Sequence, residues 1–133
     1  MTLLDTNTVI FYLRGVEPVV EQLRASSPRE VAIPCVVAYE IEYGTLKTGS
    51  PRRRGIVSEL LAGLAQIPFD VDAALEAARI RIELESRGLL IGPIDLLIAG
   101  TALSRGAVLV TNNTKEFSRV KGLRLSDWTK PRW

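Results

Sequence analysis

Short apolar runs that end in polar turns alternate along this chain with longer stretches of helical periodicity. The clearest run covers residues 107–111, and shorter ones cover residues 2–4, 31–33, 67–69 and 123–125. Apolar runs of this length, bounded by turn residues, are typical of buried strands. Strands that alternate with helices imply a short, mostly parallel β-sheet sandwiched between α-helices. We therefore predict an α/β fold and, at 133 residues, a single domain over residues 1–133.

Helices are predicted between these strands from apolar spacing and from residues that begin or end helices. They include residues 6–13, residues 35–48, and a segment that Pro93 opens and that runs to about residue 105. The stripes expected to face the core are Val16, Val19, Val20 and Leu23 in one helix, Ile56, Leu60 and Leu64 in another, and Leu75, Ala78 and Ile82 in a third that Asp72 would cap.

Composition excludes several kinds of chemistry. With no histidine and a single cysteine, Cys35, the chain has no Ser-His or Cys-His nucleophilic pair, no His-ligated zinc and no internal disulfide. It has neither an apolar run of about 20 residues nor a signal-peptide pattern, so we expect a cytoplasmic protein. The net charge is +2. If four of the 15 acidic residues share one pocket, the rest of the surface carries 17 basic and 11 acidic residues. Such a basic surface favours an anionic partner.

Asp5 ends the first apolar run and is followed by Thr6 and Asn7. A carboxylate at the C-terminal end of a buried strand lies where open α/β sheets bind ligands, although Asp, Thr and Asn are also common helix caps. Glu40 lies beside the apolar stripe of its helix, whereas Glu42 is about 200° further round. The two glutamates cannot serve one site. We choose Glu40, with two solvated surface acids as the alternative.

Asp95 is the most informative acidic residue. It lies in the first turn of a segment, residues 94–103, that is apolar nearly all round, as buried helices are. Compensation of the helix dipole, worth roughly 0.3–1 kcal/mol, is one explanation for an acid here. A buried carboxylate is costly unless it is paired or binds a metal, so we favour a role in a site.

A polar turn follows the clearest strand. It contains Thr111, Asn112, Asn113 and Glu116. Parallel strands end at one edge of a sheet, so this turn can reach Asp5; an ordinary Asn-rich turn is the alternative. Carboxylates gathered at one edge need a counter-cation, and oxygen ligands select Mg²⁺ or Mn²⁺, which clamp phosphate oxygens and activate water. The chain has no Gly-rich phosphate loop with a lysine.

Four motifs in this chain resemble those of PIN-domain ribonucleases and, within that superfamily, of the VapC toxins of type II toxin–antitoxin systems. They are LDTN at residues 4–7, EIEYG at 40–44, IGPIDLLIA at 91–99 and VTNNTKEF at 110–117, followed by Gly122-Leu123 and Asp127-Trp128. Each motif alone is weak, but all four in this order and spacing are specific, and the resemblance covers residues 3–128.

The resemblance implies a PIN fold and magnesium-dependent endonucleolytic cleavage of RNA. It also implies a homodimer and a cognate antitoxin whose tail lies across the active-site groove. By motif match, Asp5, Glu40 and Asp95 form the acidic core, with Asp5 and Asp95 as the direct metal ligands. Asn113 stands where many PIN domains have an Asp, and Glu116 is the nearest acid. Whether one or two metals bind is therefore open.

The same residues leave three alternatives to a toxin ribonuclease. A PIN nuclease of RNA processing, outside any toxin–antitoxin pair, would use the same site. A phosphoacceptor receiver domain would use Asp70, but it needs a second acid after the first strand, where this chain has Thr6 and Asn7. A PIN domain that only binds RNA or protein would have no reason to keep Asp5 and Asp95.

The last two expectations concern RNA binding by basic residues and dimerisation through exposed apolar surface. Two clusters beside the expected site loops are predicted to hold RNA phosphates, with plain solvated surface as the alternative. They are Arg52, Arg53 and Arg54, and Lys115, Arg119 and Lys121. Apolar stripes on several short helices exceed what one small core can bury, which favours a homodimer.

Overall fold

The computed structural model describes residues 1–130 and has the α/β architecture that the alternating pattern predicts. The strands are β1 (Thr2–Leu4), β2 (Val31–Pro34), β3 (Ala65–Ile67), β4 (Val108–Val110) and β5 (Arg124–Ser126), and they form one parallel sheet in the order β3-β2-β1-β4-β5. The helices are α1 (Thr6–Leu13), α2 (Glu17–Ala25), α3 (Cys35–Thr48), α4 (Pro51–Gly63), α5 (Val71–Ser86), α6 (Pro93–Ser104) and α7 (Thr114–Phe117). None of the helices in residues 1–130 is long and apolar enough to cross a membrane.

The C-terminal ends of three neighbouring strands are in register. Leu4 pairs with Val110, and Val110 pairs with Ser126. The next residues continue the ladder, because the Asp5 N–H donates to the Val110 carbonyl at 3.0 Å and the Thr111 N–H donates to the Ser126 carbonyl at 2.9 Å. The residues that leave β1, β4 and β5 therefore start from the same edge of the sheet.

The centre of the sheet is fully buried, as a parallel sheet with helices on both faces requires. Leu3, Ile33 and Leu109, one from each central strand, have no exposed surface. Helix α6 packs on β2 and β4, and α5 packs mainly on α6. Helix α6 is therefore buried, as its apolar sequence predicts. Its buried residues include Ile98, Ala99 and Gly100.

Small residues allow the close crossing of α5 and α6. A Cβ atom added to Gly100 would lie 2.7 Å from the Ala77 Cβ and 2.8 Å from the Ala73 carbonyl oxygen. These distances are shorter than any ordinary contact, so only glycine fits at position 100 without a shift of α5.

The structure corrects the inward face predicted for α5. Leu75, Ala78 and Ile82 point outward, and the buried residues are instead Ala73, Ala77, Ile80 and Leu84. The N-cap of α5 is Asp70, whose Oδ1 accepts the Ala73 N–H at 3.0 Å, while Asp72 lies in the first turn. The apolar spacing was correct for a helix, but it did not distinguish two opposite apolar faces.

Two smaller corrections concern the segment before α5. In α4 the fully buried residue is Val57, whereas Ile56 is 46% exposed and Leu64 lies just beyond the helix. Strand β3 covers Ala65–Ile67 rather than residues 67–69. Pro68 and Phe69 follow the strand.

Candidate active site

Asp5 is both the cap of α1 and a buried carboxylate at the sheet edge. It is 4% exposed, and its Oδ1 accepts the Thr8 N–H at 2.9 Å. Burial raises the pKa of Asp5 above its usual range, hydrogen bonds from Thr111 and Thr8 oppose that rise, and the nearby charge of Asp127 adds to it. The two sequence interpretations of Asp5, cap and site residue, are therefore compatible.

Asp95 faces the same edge from the first turn of α6. Burial raises the pKa of this half-buried carboxyl to about 6, and the charges of Glu116, Asp5 and Glu40, in that order, contribute to the rise. Carboxylates affect one another in this way only when they are close in space. The structure thus places Asp5, Glu40 and Glu116, from three other parts of the fold, near enough to Asp95 for their charges to act on it.

Glu40 is held in this group by the residue after Asp5. The Thr6 hydroxyl donates to Glu40 Oε1 at 2.5 Å, and both residues are partly buried. Glu42, two residues further along α3, is exposed, as its angular position predicts. Asn7, the last residue of the first motif, is exposed in the first turn of α1.

Glu116 reaches the site from the short helix α7. Asn113 Nδ2 donates to Glu116 Oε2 at 3.0 Å, and the Asn113 main-chain N–H donates to Thr111 Oγ1 at 2.9 Å. Thr111 has no exposed surface, and its side chain lies near enough to Asp5 to lower the pKa of that carboxyl. Asn112 is exposed at the tip of the turn.

Asp127 is an acid at this edge that was not among the predicted site residues. It follows β5 as Asp5 follows β1, and its charge contributes to the raised pKa of Asp5. Its Oδ1 is already engaged, accepting the Thr129 N–H at 2.9 Å and the Thr129 hydroxyl at 2.6 Å. The signal in the sequence was its place directly after a strand.

The donor set suits a hard divalent cation. Among residues 1–130, no arginine or lysine forms a salt bridge with any of these five acids, which are Asp5, Glu40, Asp95, Glu116 and Asp127. All their donor atoms are oxygens, which Mg²⁺ and Mn²⁺ prefer. In the same part of the chain no three acidic side chains are close enough together to form a complete metal site. An ion here would need water ligands or small side-chain movements, and Mg²⁺ usually keeps several waters.

The basic residues predicted to bind RNA have different environments. Arg52, Arg54 and Lys115 are exposed, and Arg53 is partly buried. The Arg119 guanidinium donates to the carbonyl oxygens of Leu89 and Leu90 at 3.3 and 3.4 Å, and the Lys121 ammonium pairs with Glu83 at 3.4 Å. Arg119 and Lys121 therefore already have partners within the fold.

Comparison with known proteins gives a consistent result. Residues 2–123 match the model of the PIN domain family. The chain is 38% identical over 128 residues to a tRNA(fMet)-specific endonuclease VapC of Salmonella typhimurium, covering 95% of this chain and 96% of the relative. It is 39% identical over 101 residues to ribonuclease VapC2 of Rickettsia felis, covering 75% of each.

Solved structures give the same picture. The chain aligns with the structure of DNA-bound VapBC from Salmonella typhimurium with a TM-score of 0.90 and 37% identity, covering 96% of this chain and 97% of that one. It aligns with VapBC2 from Rickettsia felis, bound to a DNA fragment from its promoter, with a TM-score of 0.86 and 32% identity, covering 96% and 98%.

Proposed function

This chain belongs to the PIN domain family and, within it, to the VapC ribonucleases, and from that premise we propose that it cleaves RNA with Mg²⁺ held by Asp5 and Asp95. The observation that supports this most directly is the convergence of four carboxylates, with no cationic partner in residues 1–130, on one edge of the sheet. The proposed reaction is hydrolysis of a phosphodiester bond by water.

Each residue at the edge has a defined task in this proposal. Asp5 and Asp95 would hold the cation, and Glu40 and Glu116 would hold it directly or through water molecules. Mg²⁺ held there would supply a Lewis acid for the phosphate and a more acidic water. Thr6 fixes Glu40 by its hydrogen bond, and Thr111 and Thr8 fix Asp5. Fixed carboxylates would keep the cation in place as negative charge develops on the phosphate, and such preorganised electrostatic stabilisation is usually the largest contribution to catalysis.

The test is cleavage of RNA by the purified protein with Mg²⁺ and then with EDTA. Asp5→Asn and Asp95→Asn should each lose cleavage, because each removes a proposed direct ligand. Glu42→Gln is the matched control, since Glu42 is exposed on α3 only two residues from Glu40. Full cleavage in EDTA, or by a folded Asp5→Asn variant, would contradict the proposal.

The substrate and the protein partner are proposed from the relatives. tRNA is the first RNA to test, because the Salmonella relative is named for tRNA(fMet). The solved structures are toxin–antitoxin complexes, so we expect this chain to arrest growth when expressed alone. If a small reading frame lies beside the gene, its co-expression should relieve the arrest. Absence of arrest, or arrest that no neighbouring reading frame relieves, would favour an RNA-processing nuclease instead.

A homodimer through the outer face of α5 completes the proposal. Val71, Leu75 and Ile82 on that face are 84%, 50% and 69% exposed, and with Ala78 they form one apolar stripe at helical spacing. Two α5 helices packed antiparallel would bury both stripes around a twofold axis. In such an antiparallel pair, Asp72 near the start of one α5 would lie opposite the later part of the partner helix, which carries Arg79 and Arg81, so the flanking charges are complementary.

A further inference from the structure

Asn113 lies between two of the carboxylates at the sheet edge and is held on three sides. Its Nδ2 donates to Glu116 Oε2 at 3.0 Å, its main-chain N–H donates to Thr111 Oγ1 at 2.9 Å, and its carbonyl accepts the Phe117 N–H at 3.2 Å. Thr111 directly follows Val110, whose carbonyl accepts the Asp5 N–H at 3.0 Å. Asn113 is therefore tied to Glu116 on one side and, through Thr111, to the strand end beside Asp5 on the other.

The side-chain contact depends on the amide. An amide group offers two N–H donors, whereas an ionised carboxylate can only accept. A hydrogen bond to a charged acceptor is shorter and stronger than one between neutral groups. An aspartate at position 113 would therefore repel Glu116, whereas Asn113 holds it.

The position of Glu116 matters to the site because Glu116 lies at the sheet edge that carries Asp5. Only three residues separate the end of β4 from α7, and the carbonyl of Val110, the last residue of β4, accepts the Asp5 N–H at 3.0 Å. Glu116 also belongs to α7, a helix of only four residues, which by itself is a weak support for a long flexible side chain. A side-chain hydrogen bond to Asn113 limits that flexibility.

We propose that Asn113 is a positioning residue that holds Glu116 against Asp95, so that Glu116 is the fourth carboxylate around the cation and Asn113 is not itself a ligand. This inference rests on the cation site of the proposed function. Asn113 acts only through Glu116, so its contribution to cation affinity should disappear when the Glu116 carboxylate is removed.

The test is calorimetric titration of the intact protein with Mn²⁺, in four forms: unmutated, Asn113→Ala, Glu116→Gln and the double variant. Asn113→Ala should weaken Mn²⁺ binding by roughly tenfold, the scale of one hydrogen bond to a charged group, and Glu116→Gln by at least as much. Adding Asn113→Ala to Glu116→Gln should change nothing further. An equal loss in both backgrounds, or no loss in either, would overturn the inference.

Two further variants separate positioning from other roles. Asn113→Asp should bind Mn²⁺ no better than Asn113→Ala, because it repels Glu116; tighter binding would make position 113 a ligand position and refute the inference. Ser118→Ala is the structural control. It removes a hydroxyl hydrogen bond to the Lys115 carbonyl, 3.0 Å long, within the same turn, and should leave Mn²⁺ affinity unchanged.

Folding and binding are distinguishable in this design. Asn113→Ala keeps both main-chain hydrogen bonds of residue 113, so α7 should remain folded, and metal-free melting curves check this. If the unmutated protein bound no Mn²⁺, the cation site of the proposed function would be wrong and this inference with it. If it bound Mn²⁺ and Asn113→Ala bound it equally well, only the inference would be wrong.

Discussion

Two opposing electrostatic effects act on the ionised Asp95 carboxylate. As an acid in the first turn of α6 it interacts favourably with the helix dipole, by roughly 0.3–1 kcal/mol. As a half-buried carboxylate facing Glu116, Asp5 and Glu40 it is repelled when ionised, and its pKa is raised from 3.8 to about 6. Without a cation the repulsion should outweigh the dipole term, because three charges act on a partly desolvated group.

Asp95→Asn is therefore expected to abolish Mg²⁺-dependent cleavage and to raise the melting temperature of the metal-free protein by a few degrees at pH 7.5. A carboxyl whose pKa is raised on folding stabilises the fold when protonated, and this stability is lost as the pH rises through about 6. The difference between the variant and the unmutated protein should shrink as the pH falls below 6. Melting curves in EDTA from pH 4.5 to 8 measure it, and a destabilised variant at pH 7.5 would contradict the repulsion.

Single residues also show what the sequence left undecided. Asp5 had two interpretations, helix cap and site residue, and its geometry satisfies both with different contacts. Asp127 also follows a strand directly, but that position alone did not single it out as a site residue. Its proximity to Asp5 depends on the pairing of β4 with β5, which no local pattern specifies.

At the level of elements, the crossing of α5 and α6 determines which face of α5 is buried. The sequence predicted Leu75, Ala78 and Ile82 inside because they form one apolar stripe at helical spacing. The close approach at Gly100 instead admits the small Ala73 and Ala77. Helix positions and a mostly parallel sheet could be predicted from periodicity and caps, but the choice between two apolar faces of one helix depends on the shape of its neighbour.

Gly100→Ala tests this crossing. The added Cβ would lie 2.7–2.8 Å from α5, and such overpacking costs roughly 1–3 kcal/mol, which exceeds the gain in helix propensity of about 1 kcal/mol. Gly55→Ala is the matched control, since Gly55 lies within α4 with no atom within 4 Å of the added Cβ. Urea unfolding should show Gly100→Ala destabilised and Gly55→Ala unchanged or more stable. Equal stability of the two variants would be inconsistent with the tight crossing.

At the level of the whole molecule, the carboxylates lie at one edge of the sheet, and the outer face of α5 is exposed. The alternation of strands and helices was enough to predict that Asp5 and the turn after β4 would approach each other. It did not predict that α5 would be apolar on two opposite faces. A contiguous exposed apolar stripe marks an interaction surface, and within one copy α6 covers only the inner face of α5.

Ile82→Glu should therefore convert the protein from dimer to monomer without unfolding it. Ile82 is 69% exposed in a single copy, so a charge there costs little in the monomer, whereas in the proposed pairing it would be buried without a partner, which is expensive. Ile56→Glu is the control, because Ile56 is another exposed isoleucine, on α4 rather than α5. Sedimentation at micromolar concentration, without antitoxin, should show a dimer for the unmutated protein and for Ile56→Glu, and a monomer for Ile82→Glu. A monomeric unmutated protein, or a dimeric Ile82→Glu with unchanged stability, would exclude α5 as the interface.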